Sequence, residues 1–298
     1  MIRIENISKS YGKVQALDDL NIHVQKGQLY GLIGPDGAGK TTLFRILTSL
    51  LIPNSGTASL MGYDCVKDYK NIRNIVGYMP GNFSLYLDLS VEENLNFFAT
   101  IFNTTIEENY HLIEDIYKML EPFKHRRAGD LSGGMKQKLA LSCALIHKPD
   151  VLLLDEPTTG VDPVSRKEFW EMLKKLQAGG LTTFVSTPFL DDAQLCDEVA
   201  LIQNGKLLSV NTPQNIANSF PHKLWKVVTH NNYASLNALH NMPNAISSFA
   251  FGDSVHLATD DIINQSDINN HLQKSNIQAE IIEQIKPSIE DTFMELMS

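Results

Sequence analysis

A chain of 298 residues, 43% apolar and 20% charged, is long enough for one large α/β domain plus a smaller one, and its composition excludes a disordered or fibrous chain. Its 34 acidic residues outnumber the 25 basic ones, and a net charge of −9 suits polyanions poorly, which argues against a nucleic-acid partner. The three scattered cysteines, Cys65, Cys143 and Cys196, form no C-x-x-C pair and read as reduced thiols, and no apolar run reaches the roughly 18 residues of a membrane span. The expectation is a soluble chain without a signal peptide, so that any membrane spans belong to another polypeptide.

Residues 2–7 alternate like an edge strand, and residues 16–24 form a second strand. Between them Tyr11 admits two readings that spacing leaves open, a stacking platform for a purine ring or a half-buried strand-end aromatic. The apolar strand 30–33 then feeds Gly34-Pro35-Asp36-Gly37-Ala38-Gly39-Lys40-Thr41-Thr42. This stretch fits G-x-x-x-x-G-K-[ST] position by position, and residues 43–47 continue it with helical spacing. Glycines let successive N–H groups turn inward around phosphate oxygens, and the helix start adds its own free N–H groups and positive dipole end. Lys40 is placed to reach the β- and γ-phosphates, and the Thr41 hydroxyl to ligate Mg²⁺. The residues therefore specify a nucleoside triphosphate site.

Residues 57–60 sit between turns at Ser55-Gly56 and Met61-Gly62, and 75–79 read as a buried strand broken at Pro80-Gly81. Ser90-Val91-Glu92-Glu93 is a capping box opening an amphipathic helix; further helices are predicted over 106–120 and 135–147. Leu131-Ser132-Gly133-Gly134-Met135-Lys136-Gln137 opens the third of these, with Ser132 as an N-cap type and two glycines that free the backbone to approach an anion. The strand 150–157 is fully apolar until it ends in Asp155 and Glu156. Carboxyl ends of parallel strands are where ligands bind, so Asp155 is placed to hold Mg²⁺ and Glu156 to polarise the water that attacks the γ-phosphate. A helix over 164–176, a strand over 182–187 cut by Pro188, and a short helix over 191–195 follow. Strands 199–203 and 206–210 flank Asn204-Gly205, a type I′ hairpin signal. Beyond a boundary near Thr212-Pro213 the pattern is a small α+β unit in which Trp225 reads as core. Its strands are expected over 224–229, 247–250, 255–258 and 278–285, and its helices over 233–241, 267–274 and 288–297.

With the phosphate loop before it and the acid pair after it, the Ser-Gly-Gly segment makes residues 1–212 resemble the ATP-binding subunit of an ABC (ATP-binding cassette) transporter. The resemblance implies an α/β, RecA-like P-loop core with an inserted helical subdomain at about 86–149, and a C-terminal accessory α+β domain at 213–298. It also implies ATP and Mg²⁺ as ligands and a head-to-tail dimer, in which Ser132, Gly133, Gly134 and Gln137 complete a second subunit's site. Asp162 matches the family's residue linking the two sites, and Tyr11 its adenine-stacking tyrosine. Two positions depart from the family: Gly81 stands where a glutamine follows Pro80, and Pro188 where a histidine contacts the γ-phosphate. Neither replacement offers a side-chain donor.

The combination, including the Gly-Pro-Asp-Gly loop and a closing Glu290-Asp291-Thr292-Phe293 helix, resembles the first cassette of bacterial tandem drug-exporter ATPases of the ABC-2 type. The expectation is an export ATPase with hydrolysis weakened at its own site, paired with a second ATP-binding subunit in a homo- or heterodimer. It would be cytoplasmic and peripheral on the inner membrane face, docked on ABC-2 type permease subunits. The alternatives are a nucleotide-binding regulatory module with little or no turnover, and a non-transport ABC ATPase.

Overall fold

The strands that are most uniformly apolar in sequence lie at the centre of a sheet. In the computed structural model, which describes residues 1–297, the chain begins with β1 (Ile2–Tyr11), β2 (Val14–Val24), β3 (Leu29–Ile33) and α1 (Lys40–Leu47). Next come β4 (Ser55–Leu60), β5 (Tyr63–Asp64), α2 (Tyr69–Ile75) and β6 (Val76–Met79), then α3 (Val91–Ile101), α4 (Ile106–Tyr117) and α5 (Gly133–Leu145). After them run β7 (Val151–Asp155), α6 (Pro163–Ala178), β8 (Thr182–Thr187), β9 (Glu198–Gln203) and β10 (Lys206–Asn211).

The larger sheet has the order β10-β9-β3-β8-β7-β6, parallel throughout except for β10 at its edge. Every residue of β3, β7 and β8 is buried, as parallel strands covered on both faces require. An antiparallel sheet, β2-β1-β4-β5, faces it. One apolar cluster joins them, with Ile4, Leu20 and Leu60 from the antiparallel sheet, Leu32 and Leu153 from the parallel one, and Phe44 of α1. Phe44 packs on Phe184 with ring centroids 5.1 Å apart, so α1 is anchored directly behind the segment that precedes it.

Between β6 and β7 the chain is helical. Ser90 and Glu93 exchange the two bonds of a capping box at the start of α3, and Thr105 and Glu108 do the same for α4. The helix expected over 106–120 ends at Tyr117, and Pro122, the middle residue of the following 3-10 turn (Glu121–Phe123), forbids continuation. α5 starts at Gly133 rather than Met135, since Ser132 Oγ accepts from Met135 N at 3.4 Å and takes both glycines into the first turn. Ile75 closes α2, a seven-residue helix unforeseen in the sequence, leaving β6 to begin at Val76. The helix expected at 191–195 is a 3-10 turn (Leu190–Leu195). Asn204 and Gly205 have φ of 49° and 75°, the two left-handed positions of a type I′ turn.

The chain divides into two compact units, Met1–Pro213 and one that begins at Gln214. At the division, where the sequence marks a boundary near Thr212-Pro213, α7 (Pro213–Asn218) forms with proline at its first position. β11 (Lys223–Thr229), α8 (Asn232–His240), β12 (Ala245–Phe251), β13 (Ser254–Thr259), α9 (Gln265–Lys274) and β14 (Ala279–Ile285) make a split β-α-β arrangement with antiparallel order β12-β13-β11-β14. Trp225 is buried in its core and donates Nε1–H to Thr259 Oγ1 at 3.0 Å. The last helix, α10 (Ile289–Met297), is tied to β13 by a buried 2.7 Å bond between His256 Nδ1 and Asp291 Oδ1.

Candidate nucleotide-binding site

Parallel register brings four sequence-distant segments to one edge. Ile33 pairs with Thr187, Asp155 with Ser186, and Met79 with Leu154, so the loops after β3, β6, β7 and β8 leave the sheet side by side at its carboxyl edge. The phosphate-loop signature occupies the first of them. Gly39 caps α1 at φ 109°, and a Cβ there would lie 2.4 Å from Ala16 O, so only glycine lets the loop fold against β2. Ala38 N donates to Pro35 O (3.2 Å), and Gly205 N donates to Ala38 O (3.0 Å). The β9–β10 hairpin tip thus braces the loop from behind. Pro35, Asp36 and Gly37 are exposed at its rim, while Thr41 and Thr42 are half-buried on α1.

Lys40 is 3% exposed, and its Nζ donates to Gly34 O (2.7 Å) and Pro35 O (2.9 Å) and lies 3.1 Å from Glu156 Oε1. The loop and the acid after β7 are therefore brought together by one ammonium. Glu156 has φ 51°, unusual for a side-chain-bearing residue, and its N–H donates to both Ser186 O (3.0 Å) and Ser186 Oγ (3.1 Å). Asp155 is buried, and Ser186 Oγ donates to its Oδ1 at 2.6 Å. Burial pushes the Asp155 carboxyl above the usual carboxylate range, opposed by hydrogen bonds from Ser186 and Thr41. Ser186 was not singled out from the sequence. Four of the six residues of β8, Thr-Thr-Phe-Val-Ser-Thr, carry hydroxyls, and nothing in that run marked Ser186 out from the others.

The two departures flank this centre. A Cβ on Gly81 would sit 3.2 Å from Asp155 O and 3.9 Å from Asp155 Oδ2, so position 81 faces Asp155 with no side chain. Pro188 follows Thr187, whose carbonyl accepts from Gly34 N at 3.3 Å. Tyr11, 46% exposed at the end of β1, lies on the β1–β2 hairpin, whose Ala16 backs Gly39; the amine of Lys9 is 5.8 Å from its ring centroid.

The Ser-Gly-Gly segment stands apart from the phosphate loop, on the insert. Ser132 and Gly133 are exposed, and Gly134 packs against Ser165 at the start of α6. Asp162 caps that helix, accepting from Ser165 N at 3.0 Å, a bond that lowers its carboxyl below the ordinary value. Gln137, grouped with the segment in the sequence reading, departs from it. Its Oε1 is buried without a hydrogen-bond partner, and the residue lines a cavity of about 430 Å³ with Pro80, Phe83, Phe98 and His147.

A profile of the ABC transporter family matches residues 17–159. Over 221 residues, 73% of each chain, the sequence is 38% identical to the Nod factor export ATP-binding protein I of Burkholderia lata. The chain belongs to the ABC transporter family. It is also 38% identical over 287 residues, 95% of its length, to the probable multidrug ABC transporter ATP-binding protein YbhF of Escherichia coli K12. It spans about half of that protein, 49%. Among solved structures, the ATP-binding subunit of an ABC transporter matches with a TM-score of 0.67 and 27% identity, covering 74% of this chain and 93% of that one. A dimeric ATP-binding cassette in a post-hydrolysis state, bound to ADP and Pi, matches with a TM-score of 0.64 and 26% identity, covering 71% and 98%. The fold is thus that of an ABC cassette. No helix among the described residues is long and apolar enough to cross a membrane.

Proposed function

We propose that this ABC cassette is the motor subunit of a bacterial ABC-2 type drug or small-molecule exporter, working as a head-to-tail dimer and hydrolysing ATP slowly at its own site. The observation that carries this reading is the complete Lys40–Glu156 pair (3.1 Å) set between two positions that lack their donors, Gly81 and Pro188. ATP binding rests on residues 34–42, with Tyr11 under the adenine. Lys40 and the loop N–H groups fit a triphosphate, because a cation and backbone donors at a helix start are the groups that bind phosphate oxygens. Thr41 and Asp155 are the oxygen donors for Mg²⁺, which when bound neutralises charge on the β- and γ-phosphates. Glu156 orients the attacking water and accepts its proton. The exposed Ser132 and Gly133, with Gly134 behind them, complete a second subunit's site, and Asp162 joins the two across the interface. The cavity beside Pro80, bordered by the exposed Leu50 and Ile101, supports docking of permease subunits on the cytoplasmic side of a membrane. Relatives named for multidrug and Nod factor export support outward transport.

Loss of one transition-state donor commonly lowers a rate by about 10²–10³-fold. The purified chain should therefore turn over slowly alone and faster when mixed with an intact second cassette. In that mixture, Glu156→Gln on this chain should cost little. A robust rate for the chain alone that Glu156→Gln abolishes would overturn the asymmetric assignment. The same two replacements favour a second reading, a nucleotide-binding regulatory module. Tight ATP binding with no turnover in any mixture, and indifference to Glu156→Gln, would select it.

A further inference from the structure

One ion pair that no motif covers, its carboxylate buried and its guanidinium half-buried, joins the segments around the phosphate loop to those offered to a second cassette. Asp192, in the 3-10 turn after β8, is 2% exposed. Its Oδ2 accepts from Thr187 Oγ1 (2.7 Å), and its Oδ1 accepts from Arg166 Nη2 (2.8 Å) and Nε (3.1 Å). The Arg166 guanidinium also lies over the Phe189 ring, 4.1 Å from its centroid, and Phe189 N donates to Thr187 Oγ1 at 3.1 Å. On one side of this cluster, Thr187 O accepts from Gly34 N, the first residue of the phosphate loop, and the adjacent Ser186 holds both Asp155 and Glu156.

On the other side, Arg166 stands in the first turn of α6, its N–H donating to Asp162 O at 2.9 Å. That turn is in close contact with the start of α5, where a Cβ on Gly134 would lie 2.4 Å from Ser165 Oγ. A little further along both helices, Lys138 Nζ meets Glu168 Oε2 at 2.6 Å. A carboxylate with both oxygens bonded and little water around it fixes its neighbours firmly, because letting go leaves a buried charge unpaired. Pro188, inside the cluster, has neither an N–H nor a donor side chain. Thr187, Asp192 and Arg166 supply the charged and hydroxyl side-chain bonds that help hold this turn.

We propose that Asp192 is a positioning residue that transmits nucleotide occupancy of the chain's own phosphate loop to segment 132–134. The destination rests on the head-to-tail reading above, but the coupling itself lies within one chain. It is tested by hydrogen exchange of the amides of residues 132–140 in the full chain, with and without ATP and Mg²⁺, at saturation established by labelled-nucleotide titration. In the wild-type chain nucleotide is expected to slow exchange there several-fold. Asp192→Asn keeps the size and the Thr187 bond, so nucleotide affinity should be unchanged while the nucleotide-dependent slowing is lost. Arg166→Lys keeps the charge without the planar fork and should retain part of it. A merely structural role would speed exchange in both nucleotide states and leave their ratio intact, which would overturn the proposal. Should Asp192→Asn fail to fold, Arg166→Lys decides by itself, and a full wild-type ratio overturns the coupling. A wild-type chain that takes up nucleotide with no change at 132–140 refutes this inference alone. One that takes up none refutes the ATP-binding reading and this inference with it.

Discussion

Lys40 does two things with one charge. Its ammonium satisfies the carbonyls of Gly34 and Pro35, and it reaches Glu156 across the gap between two strand ends. Charge-assisted bonds are the strong ones, each contributing about 1.5–3 kcal/mol. Lys40→Ala should therefore weaken ATP binding by about tenfold to a hundredfold, read by titration with a labelled adenine nucleotide; unchanged affinity would mean the loop N–H groups suffice. Gly81 offers the converse experiment. Its φ is not positive, and a Cβ there needs Asp155 O to yield only a few tenths of an ångström from 3.2 Å. Gly81→Gln should accordingly fold and raise turnover, by about tenfold or more if the amide contributes as a transition-state donor. Pro188→His should add to it. Steady-state rates of the two single variants and the double variant would show whether the two losses are what slows the site.

Among elements, the contrast lies in how carboxylates hold helices. Asp291 of α10 is 5% exposed; burial alone would raise its carboxyl, but bonds from His256 and from the Ser288 N–H and hydroxyl outweigh that and hold it below the ordinary value. Such a group contributes stability that is complete above the unfolded carboxyl value of about 3.9 and is lost as pH falls through the folded one. Acidification from pH 6 to pH 3 should thus lower the urea midpoint of the second unit, and Asp291→Asn should flatten that dependence. In the first unit, burial raises Asp155 and Asp192 instead. Their ionised forms work against folding, and acidification through their folded values relieves the cost, so these two groups push the first unit's midpoint the opposite way. The capping boxes at Ser90 and Thr105 are simpler. Each Ala replacement should cost about 1 kcal/mol in a thermal or urea unfolding measurement, because one orphan N–H at each helix start loses its partner.

For the molecule as a whole, two separate apolar clusters matter most. One spans both sheets of the first unit, and the other gathers Trp225, Val227, Leu257 and Leu272 in the second. Separate cores melt as separate cooperative units unless an interface binds them. Calorimetry should resolve two transitions, of which ATP with Mg²⁺ raises only the first, by about 2.7 kcal/mol at a hundredfold excess over the dissociation constant. A shift of both transitions would show that the units unfold together.

The sequence by itself determined the phosphate loop, the acid pair, the Ser-Gly-Gly helix start and the family, because each is written in contiguous residues whose spacing is the chemistry. It also marked the apolar strands, whose burial on both faces leaves no periodicity to misread. Contacts between residues far apart along the chain were decided only by the tertiary structure. Parallel pairing set Ser186 against Asp155, the β9–β10 turn came to brace Ala38, and Asp192 was placed between Thr187 and Arg166. The same is true of Gln137, which shares a helix with Gly134 but has its amide oxygen buried at the cavity beside Pro80. The physical reason is that a strand's neighbour and a helix's facing surface follow from packing, and packing is set by which buried faces fit together, information that no single segment carries.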